Sequence, residues 1–435
     1  MVTWELQINK FNNQETFFEE YQKNNLIKIR NDLKNYFESI DQKIFLSAWR
    51  KNKGYIPDGF KSRTILTIYG RITYKRRIYK YWDKIKYNYV FLTDKKLEIE
   101  KYSRVISHLK FKILEQIGTG KRQRDICDMF SFANITRATV SNIIKSFNFE
   151  TSFKYLVNNI AKIKIPKYLY FNMDETYINL RTANKLCKYR IRLVTFHTGY
   201  NKLFSTEKRK VLDNKRVYYQ LIPNSKKIKT AEFMASLKKF AQKFYSNIDD
   251  IKIIICGDGA RWIREAKNYW PNAEYILDKF HSIRYLKQIF TNRNNQLELQ
   301  GYQNSKNFFE SGAYHDLIMQ LKQITAKPGK EEKLVKIINY FINNAFGISN
   351  QKLKYNIGVS AEADISHIIK WLLGYGSKVF NYQTFKNMLF LKTAEINQIN
   401  IISFLKKEYQ KEKEEIKTYY WKSYWANKKN IKSFF

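Results

Sequence analysis

Apolar positions change rhythm several times along the chain. Within residues 1–50, "ETFFEEYQKNNLIKIRNDLKNYFESIDQKIF" repeats Phe, Tyr, Leu and Ile at helical spacing with no Pro or Gly, which predicts helix. Residues 62–92, "SRTILTIYGRITYKRRIYKYWDKIKYNYVFL", are rich in Ile, Thr and Tyr, and Gly70 between two strand-like runs predicts a β-hairpin. Its second arm carries Lys75, Arg76, Arg77 and Lys80 among aromatics, which could track a phosphate backbone or simply guard an edge strand. Residues 103–147 return to helical spacing. There "GKRQRDICDMFSFANITRATVSNIIKSF" predicts a first helix from Lys121 to Phe130, with Ile126 and Phe130 facing a core. A second helix opens at a Thr cap and frees Arg137, Ser141, Asn142 and Lys145. This reads as a helix-turn-helix, with a plain helical hairpin as the alternative.

From residue 165 the rhythm turns to strands. "KYLYFNM", "YRIRLVTFHTGY" and "KRVYYQLI" predict three, and "TAEFMASLKKFAQKFYS" predicts an amphipathic helix. "IKIIICGDGA" is a near-continuous run of β-branched residues, as expected of a strand buried on both faces. "RWIREAKNYW" is a short helix, and "AEYILDKFH" is a strand running into another helix. Three antiparallel strands followed by alternating helix and strand is the order of the ribonuclease H-like fold. The expected class is therefore α/β, a ribonuclease H-like core over 163–284 and 356–400 interrupted by a helical insertion over 285–355. A helical region (1–60), a basic hairpin region (61–102) and the helix-turn-helix (103–150) precede it. A basic helical tail (401–435) follows.

Charge adds a partner to this picture. Lys and Arg number 79 against 39 Asp and Glu, a net charge of +40. An AT-rich genome would explain part of the Lys excess, but not why acids stay so scarce. A polyanion would offset the self-repulsion, and nucleic acid is the first candidate. The three cysteines are far apart and form neither a zinc site nor a disulfide framework. The N-terminal residues lack an apolar signal core, and no apolar run reaches the length of a membrane span. The expectation is a soluble, cytoplasmic, nucleoid-associated protein with no membrane partner.

In a chain so basic, the acids at strand ends stand out. Asp174 follows the first core strand and Asp258 the fourth, and in a ribonuclease H-like sheet those ends are neighbours. Converging carboxylates repel unless a cation sits between them, and Mg²⁺ takes such hard oxygen ligands. Two ions would stabilise the attacking and leaving oxygens of a phosphoryl displacement. Glu362 in "GVSAEADISHIIKWLLGYG" is the expected third carboxylate, on a helix capped by Ser360 and stopped by Gly374. Each has a plainer reading. Asp174 could cap a turn, Asp258-Gly259 could be a tight turn, and Glu362 could be a first-turn acid. Glu175, Glu265 and Asp364 are competing carboxylates. Asp278 and His281 form a D-x-x-H with a supporting role, and Glu175 is placed in the same supporting set. Arg261 beside Asp258 joins the DNA-binding set.

These residues resemble the ISLre-type insertion-sequence transposases of bacteria, which are DDE transposases related to the Mutator-like group. "DGFKSRTILTIYGRITYKRRIY", "NMDETYINL", "GDGARWIREA", "YILDKFHSIRYL" and "SAEADISHII" carry the resemblance, which covers nearly the whole chain. Ala363-Asp364 departs from the Gly-His of the family's last block, and "LLGYGSKVFN" also diverges. The resemblance implies catalytic, metal-holding roles for Asp174, Asp258 and Glu362 with two Mg²⁺ (or Mn²⁺) ions. It implies metal-dependent strand cleavage at transposon ends and strand transfer into target DNA, with double-stranded DNA as partner, by an oligomer of at least two copies. A catalytically inactive DNA-binding regulator and a host nuclease on the same fold are the alternatives.

Overall fold

The computed structural model describes residues 14–149 and 166–409, apart from 184, 208, 293, 327, 359–360 and 375–377, together with Leu156, Ile160, Lys162 and Ile163. The chain divides into two units, one of residues 1–117 and 121–146, the other of residues 118–120 and 147–435.

Unit one opens with a 33-residue helix, α1 (Gln14–Leu46), and a short α2 (Ala48–Asn52). The expected hairpin is present as β1 (Ile56–Thr67) and β2 (Gly70–Trp82), and a third strand, β3 (Tyr87–Val90), joins it in the antiparallel order β1-β2-β3. Thr67 pairs with Gly70 across a two-residue turn. Gly70 has φ +109°, and a Cβ there would stand 2.8 Å from the Phe132 carbonyl, so the turn requires glycine twice over. Leu33 and Phe37 of α1 pack on Ile65, Ile72 and Tyr74 of the hairpin. Then come α3 (Leu92–Lys96), α4 (Ser107–Gly118), α5 (Gln123–Met129) and α6 (Arg137–Lys145).

The hairpin's register corrects the reading of its basic arm. Side chains alternate across a strand, so Ile72, Tyr74 and Arg76 turn inward while Arg71, Thr73 and Lys75 face out. Arg76 is buried, donates to Asp94 at 2.8 Å and lies over the Phe91 ring. Arg63 reaches the same Asp94 carboxylate at 2.5 Å, and the Tyr74 hydroxyl donates to its other oxygen. Arg77 donates to Asp41 at 2.6 Å. Arg76 and Arg77 are therefore ion-pair partners inside unit one, Lys80 is half-buried and pairs with Asp58, and of the four only Lys75 is exposed for a phosphate.

The paired helices α5 and α6 are where the spacing puts them. Ile126, Val140 and Ile144 are fully buried, while Phe130 is only half-buried. Thr136 caps α6 by accepting from the Thr139 N–H. Arg137, Asn142 and Lys145 are exposed and Ser141 is half-buried.

Unit two is built on a mixed sheet. Its strands are β4 (Tyr168–Thr182), β5 (Lys185–His197), β6 (Arg216–Pro223), β7 (Lys252–Gly257), β8 (Ala273–Leu277) and a two-residue β9 (Phe380–Asn381). Their order is β6-β5-β4-β7-β8, with β9 beside the far end of β4. The pairs β4·β5 and β5·β6 are antiparallel, and β4, β7 and β8 run parallel. The connections are α7 (Thr230–Ala241) and α8 (Arg261–Arg264), and α9 (Lys279–Ile289) follows β8. Both faces of the parallel strands are buried. Tyr170, Ile254, Cys256 and Ile276 pack on one side, and Leu169, Phe171, Ile253 and Ile255 fill the alternate positions.

Two boundaries differ from expectation. The first core strand does not end at Asp174: β4 continues to Thr182, held on by β5. What ends there is its pairing with β7, which stops at Met173–Gly257. The expected insertion is helical, with α10 (Gln296–Ser311), α11 (Tyr314–Lys322), α12 (Glu331–Asn343) and α13 (Ala345–Ser349). It begins after 285, because α9 runs on to Ile289. Glu362 lies on α14, continuous through Ala361–Asp364, a π-helical stretch Ile365–Lys370 and Trp371–Leu373. Gly374 ends it with φ +69°, and Ser360 lies outside the described residues, as does the tail beyond 409. A last helix, α15, spans Tyr382–Ile396. No helix among the described residues is long and apolar enough to cross a membrane.

Candidate active site

Strand pairing puts the first two acids side by side. Met173 pairs with Gly257 across the parallel β4·β7 ladder, so the next residues, Asp174 and Asp258, leave the end of that ladder together. Asp174 is pinned because β4 continues beyond it, paired with Leu193 of β5. Asp258 sits in a turn to α8, where its side chain accepts from the Ala260 N–H at 2.9 Å. The following Gly259 has φ +96°, and a Cβ there would press on Tyr340 and Asn344 at 2.8 Å. Tyr340 in turn donates to the Asp258 carbonyl at 2.9 Å, so the insertion helix α12 braces the Asp258 turn. Nothing in the local sequence of α12 announces that role, since it depends on a contact spanning 82 residues.

The third acid comes from α14. Glu362 Oε2 lies 3.9 Å from His281 Nε2 and has no hydrogen-bond partner. His281 Nδ1 meets Asp278 Oδ2 at 2.6 Å, and Asp278 caps α9 by accepting from the Phe280 N–H. Asp278 is thereby fixed, and it holds His281 with one ring nitrogen turned toward Glu362.

The electrostatics tie these groups together. The Asp174 carboxyl is pushed up to about 6. Burial is the largest cause, and the negative charges of Asp258 and Glu362 raise it further, against the Glu175 N–H and the His281 charge. His281 is raised above its ordinary value, first by its bond to Asp278, with Asp258 and Asp174 adding to the pull. The trio and the histidine thus share one field. Among the described residues, no Lys or Arg makes an ion pair with Asp174, Asp258 or Glu362.

The donor set is oxygen-rich and short of positive charge, which suits a hard divalent cation. Glu362 Oε2 is an acceptor left over for it. Among the described residues no three His, Cys, Asp or Glu side chains gather tightly enough to encage an ion alone. A cation held here would keep several waters or phosphate oxygens, which is how Mg²⁺ is commonly bound.

Other expected site residues are placed differently. Glu175 points to the opposite face of β4 from Asp174, where it accepts from Arg192 at 3.0 Å and from the Tyr177 hydroxyl at 2.8 Å. It steadies the strand pair there and does not meet the trio. Asp364 is buried and paired with Lys215 at 2.5 Å, which removes it as a rival to Glu362. Arg261 is highly exposed and pairs with Glu265 at 2.6 Å. His197 is buried between Asn172 and the Gly199 N–H, a structural histidine.

Fold and site together define a mixed α/β protein that gathers acids at the carboxyl end of a parallel strand pair. The chain belongs to UPF0236, an uncharacterised protein family whose model matches residues 12–413. Similar relatives are UPF0236 proteins of Caldanaerobacter subterraneus subsp. tengcongensis. One, which carries eleven locus names in that genome, is 25% identical over 343 residues, covering 78% of this chain and 68% of the relative. A second is 26% identical over 340 residues, covering 78% and 69%. A third, with four locus names, is 25% identical over 340 residues, covering 78% and 68%.

Proposed function

We propose that this protein is a DDE-type DNA transposase. It cleaves DNA strands at the ends of its element and transfers them to target DNA. The observation that carries the reading is the pair Asp174 and Asp258, set together where the β4·β7 ladder ends, with the charge of Glu362 acting on the same site. Support comes from the strand order third-second-first-fourth-fifth, the order of the ribonuclease H-like fold. Relatives present under many locus names in one genome fit a mobile element. The net charge of +40 fits a DNA partner. Helices α5 and α6 offer exposed Arg137, Asn142 and Lys145 as a recognition surface of the helix-turn-helix kind.

Asp174, Asp258 and Glu362 would hold the Mg²⁺ or Mn²⁺. When bound, such a cation neutralises charge that develops on the attacking and leaving oxygens of a phosphodiester. Asp174 is fixed by a strand paired beyond it, and Asp258 by the Tyr340 brace, so both are positioned before substrate arrives. His281, oriented by Asp278, would hold a proton at Nε2 beside Glu362. Exposed Lys75, Arg137, Lys145 and Arg261 would neutralise backbone phosphates.

A second reading is a DNA-binding regulator with a silent core. It is favoured by the carboxylates failing to close a cage by themselves. Strand cleavage on DNA carrying the element's ends, with Mg²⁺ or Mn²⁺, separates the two. The transposase cuts, and Asp174→Ala or Asp258→Ala abolishes cutting while DNA binding persists. Cutting that survives in those variants, or wild-type protein that binds the ends and never cuts, removes the proposal.

A further inference from the structure

The β1-β2-β3 sheet of unit one is covered by α1 over Ile72 and Tyr74, but at its β2–β3 end the same side of β2 carries bare aromatic rings. Register pairs Ile56 with Lys80, Lys80 with Tyr89, and Trp82 with Tyr87. Residues directly opposite on antiparallel strands point to the same side. Ile56, Lys80, Trp82, Tyr87 and Tyr89 therefore share one face. Trp82 is 56% exposed, Tyr87 51% and Tyr89 63%. The opposite face is covered: Tyr79 is fully buried near Arg50, and Tyr81 packs edge-on against Tyr55.

Two of the rings are held in place. Trp82 and Tyr87 meet edge to face at 5.0 Å, and Lys80 reaches both Asp58 at 2.9 Å and the Tyr87 ring. The β2–β3 turn is closed by Asp83, which accepts from the N–H groups of Ile85 and Lys86 and from the Asn88 amide. Both acids of this corner are thus occupied, and Lys84 and Lys86 stand exposed beside the rings.

We infer that this face binds unpaired nucleotides of a single-stranded nucleic acid. Every base offers a flat π-face to an exposed aromatic ring, whatever its sequence, while nearby lysines meet the phosphates. Duplex DNA hides those base faces inside its stack and cannot use Trp82, Tyr87 and Tyr89 in this way. An apolar protein partner would have no use for the lysine rim. The inference rests on the nucleic-acid half of the proposed function and not on its cleavage chemistry.

The test is fluorescence anisotropy of the full chain with a short labelled oligothymidylate and, separately, a blunt duplex of mixed sequence. Trp82→Ala and Tyr89→Ala should each weaken oligothymidylate binding about tenfold and leave duplex affinity and melting temperature unchanged. Tyr89→Phe, which keeps the ring, should bind as wild type. Oligothymidylate affinity untouched by Trp82→Ala, or both ligands weakened alike, overturns the inference. A chain that binds and cuts end-bearing duplex but ignores oligothymidylate ends this inference and leaves the transposase reading standing. Trp82-dependent oligothymidylate binding without any cutting does the reverse.

Discussion

The acids of the two units meet opposite fates. In unit one, Asp94 is buried against Arg63 and Arg76, and Asp41 against Arg77. In unit two, the charges of Asp258 and Glu362 act on Asp174 with no Lys or Arg ion pair to any of the three among the described residues, only the His281 ring beside Glu362. Cations are not scarce, since they outnumber acids 79 to 39. Even Asp364, two residues from Glu362, has its lysine. The same chain therefore neutralises carboxylates where they hold structure and leaves them repelling where they face a site. The cost shows on Asp174, whose carboxyl is pushed up to about 6, first by burial and then by the charges of Asp258 and Glu362.

The largest expected effect breaks the neutralised side. Asp94→Ala leaves Arg63 and Arg76 buried without a counter-charge, a loss of about 3–5 kcal/mol. Thermal melting should show unit one collapsing, and a shift of only a degree or two would mean that the pairs are incidental.

The next prediction inverts the sign on the other side. Asp174 rises from the usual 3.8 to about 6 on folding, so the folded state holds that proton more tightly. Its contribution therefore favours folding below the unfolded value and is lost as pH rises through about 6. Asp174→Asn should stabilise the protein above that range, by up to about 3 kcal/mol, and change nothing in strong acid where both forms are neutral. Chemical denaturation at the two pH values checks it. Destabilisation at alkaline pH would contradict the cost of burying that charge beside Asp258 and Glu362.

A smaller effect asks what relieves the repulsion. Mg²⁺ at a hundred times its dissociation constant should add about 2.7 kcal/mol to wild-type stability. Most of that gain should vanish in Asp174→Asn, as read by melting with and without the ion. An equal gain in both proteins places the ion elsewhere.

The smallest sharpens the distinction between neighbouring cations on β2. Lys75→Ala should lower the log–log salt slope of DNA binding by about 0.9 without loss of stability. If salt dependence is unchanged, Lys75 makes no phosphate contact.

Much of this was legible in the chain. Gly70 between strand-like runs marked the β1–β2 turn, and the β-branched run before Asp258 marked a strand buried on both faces. Asp174 and Asp258 could be picked out because an acid directly after an apolar run is costly without a use. The partners of those acids were not legible. Nothing near Tyr340 says that it will brace Asp258, and nothing near Lys215 says that it will take Asp364 out of contention. Lys75, Arg76 and Arg77 look alike in sequence, and their burial depends on strand register.

The amino-acid order by itself determined the sequence of helices and strands, the basic character of the chain and the identity of the candidate acids. These follow from side-chain periodicity and composition, which are local or summed properties. Only the tertiary structure decided which acids are neutralised and which are left to repel, and which aromatic residues of unit one stay bare. Both depend on distances between residues far apart in the chain. A Coulomb or stacking interaction acts over a few ångströms in space, whatever the separation in sequence.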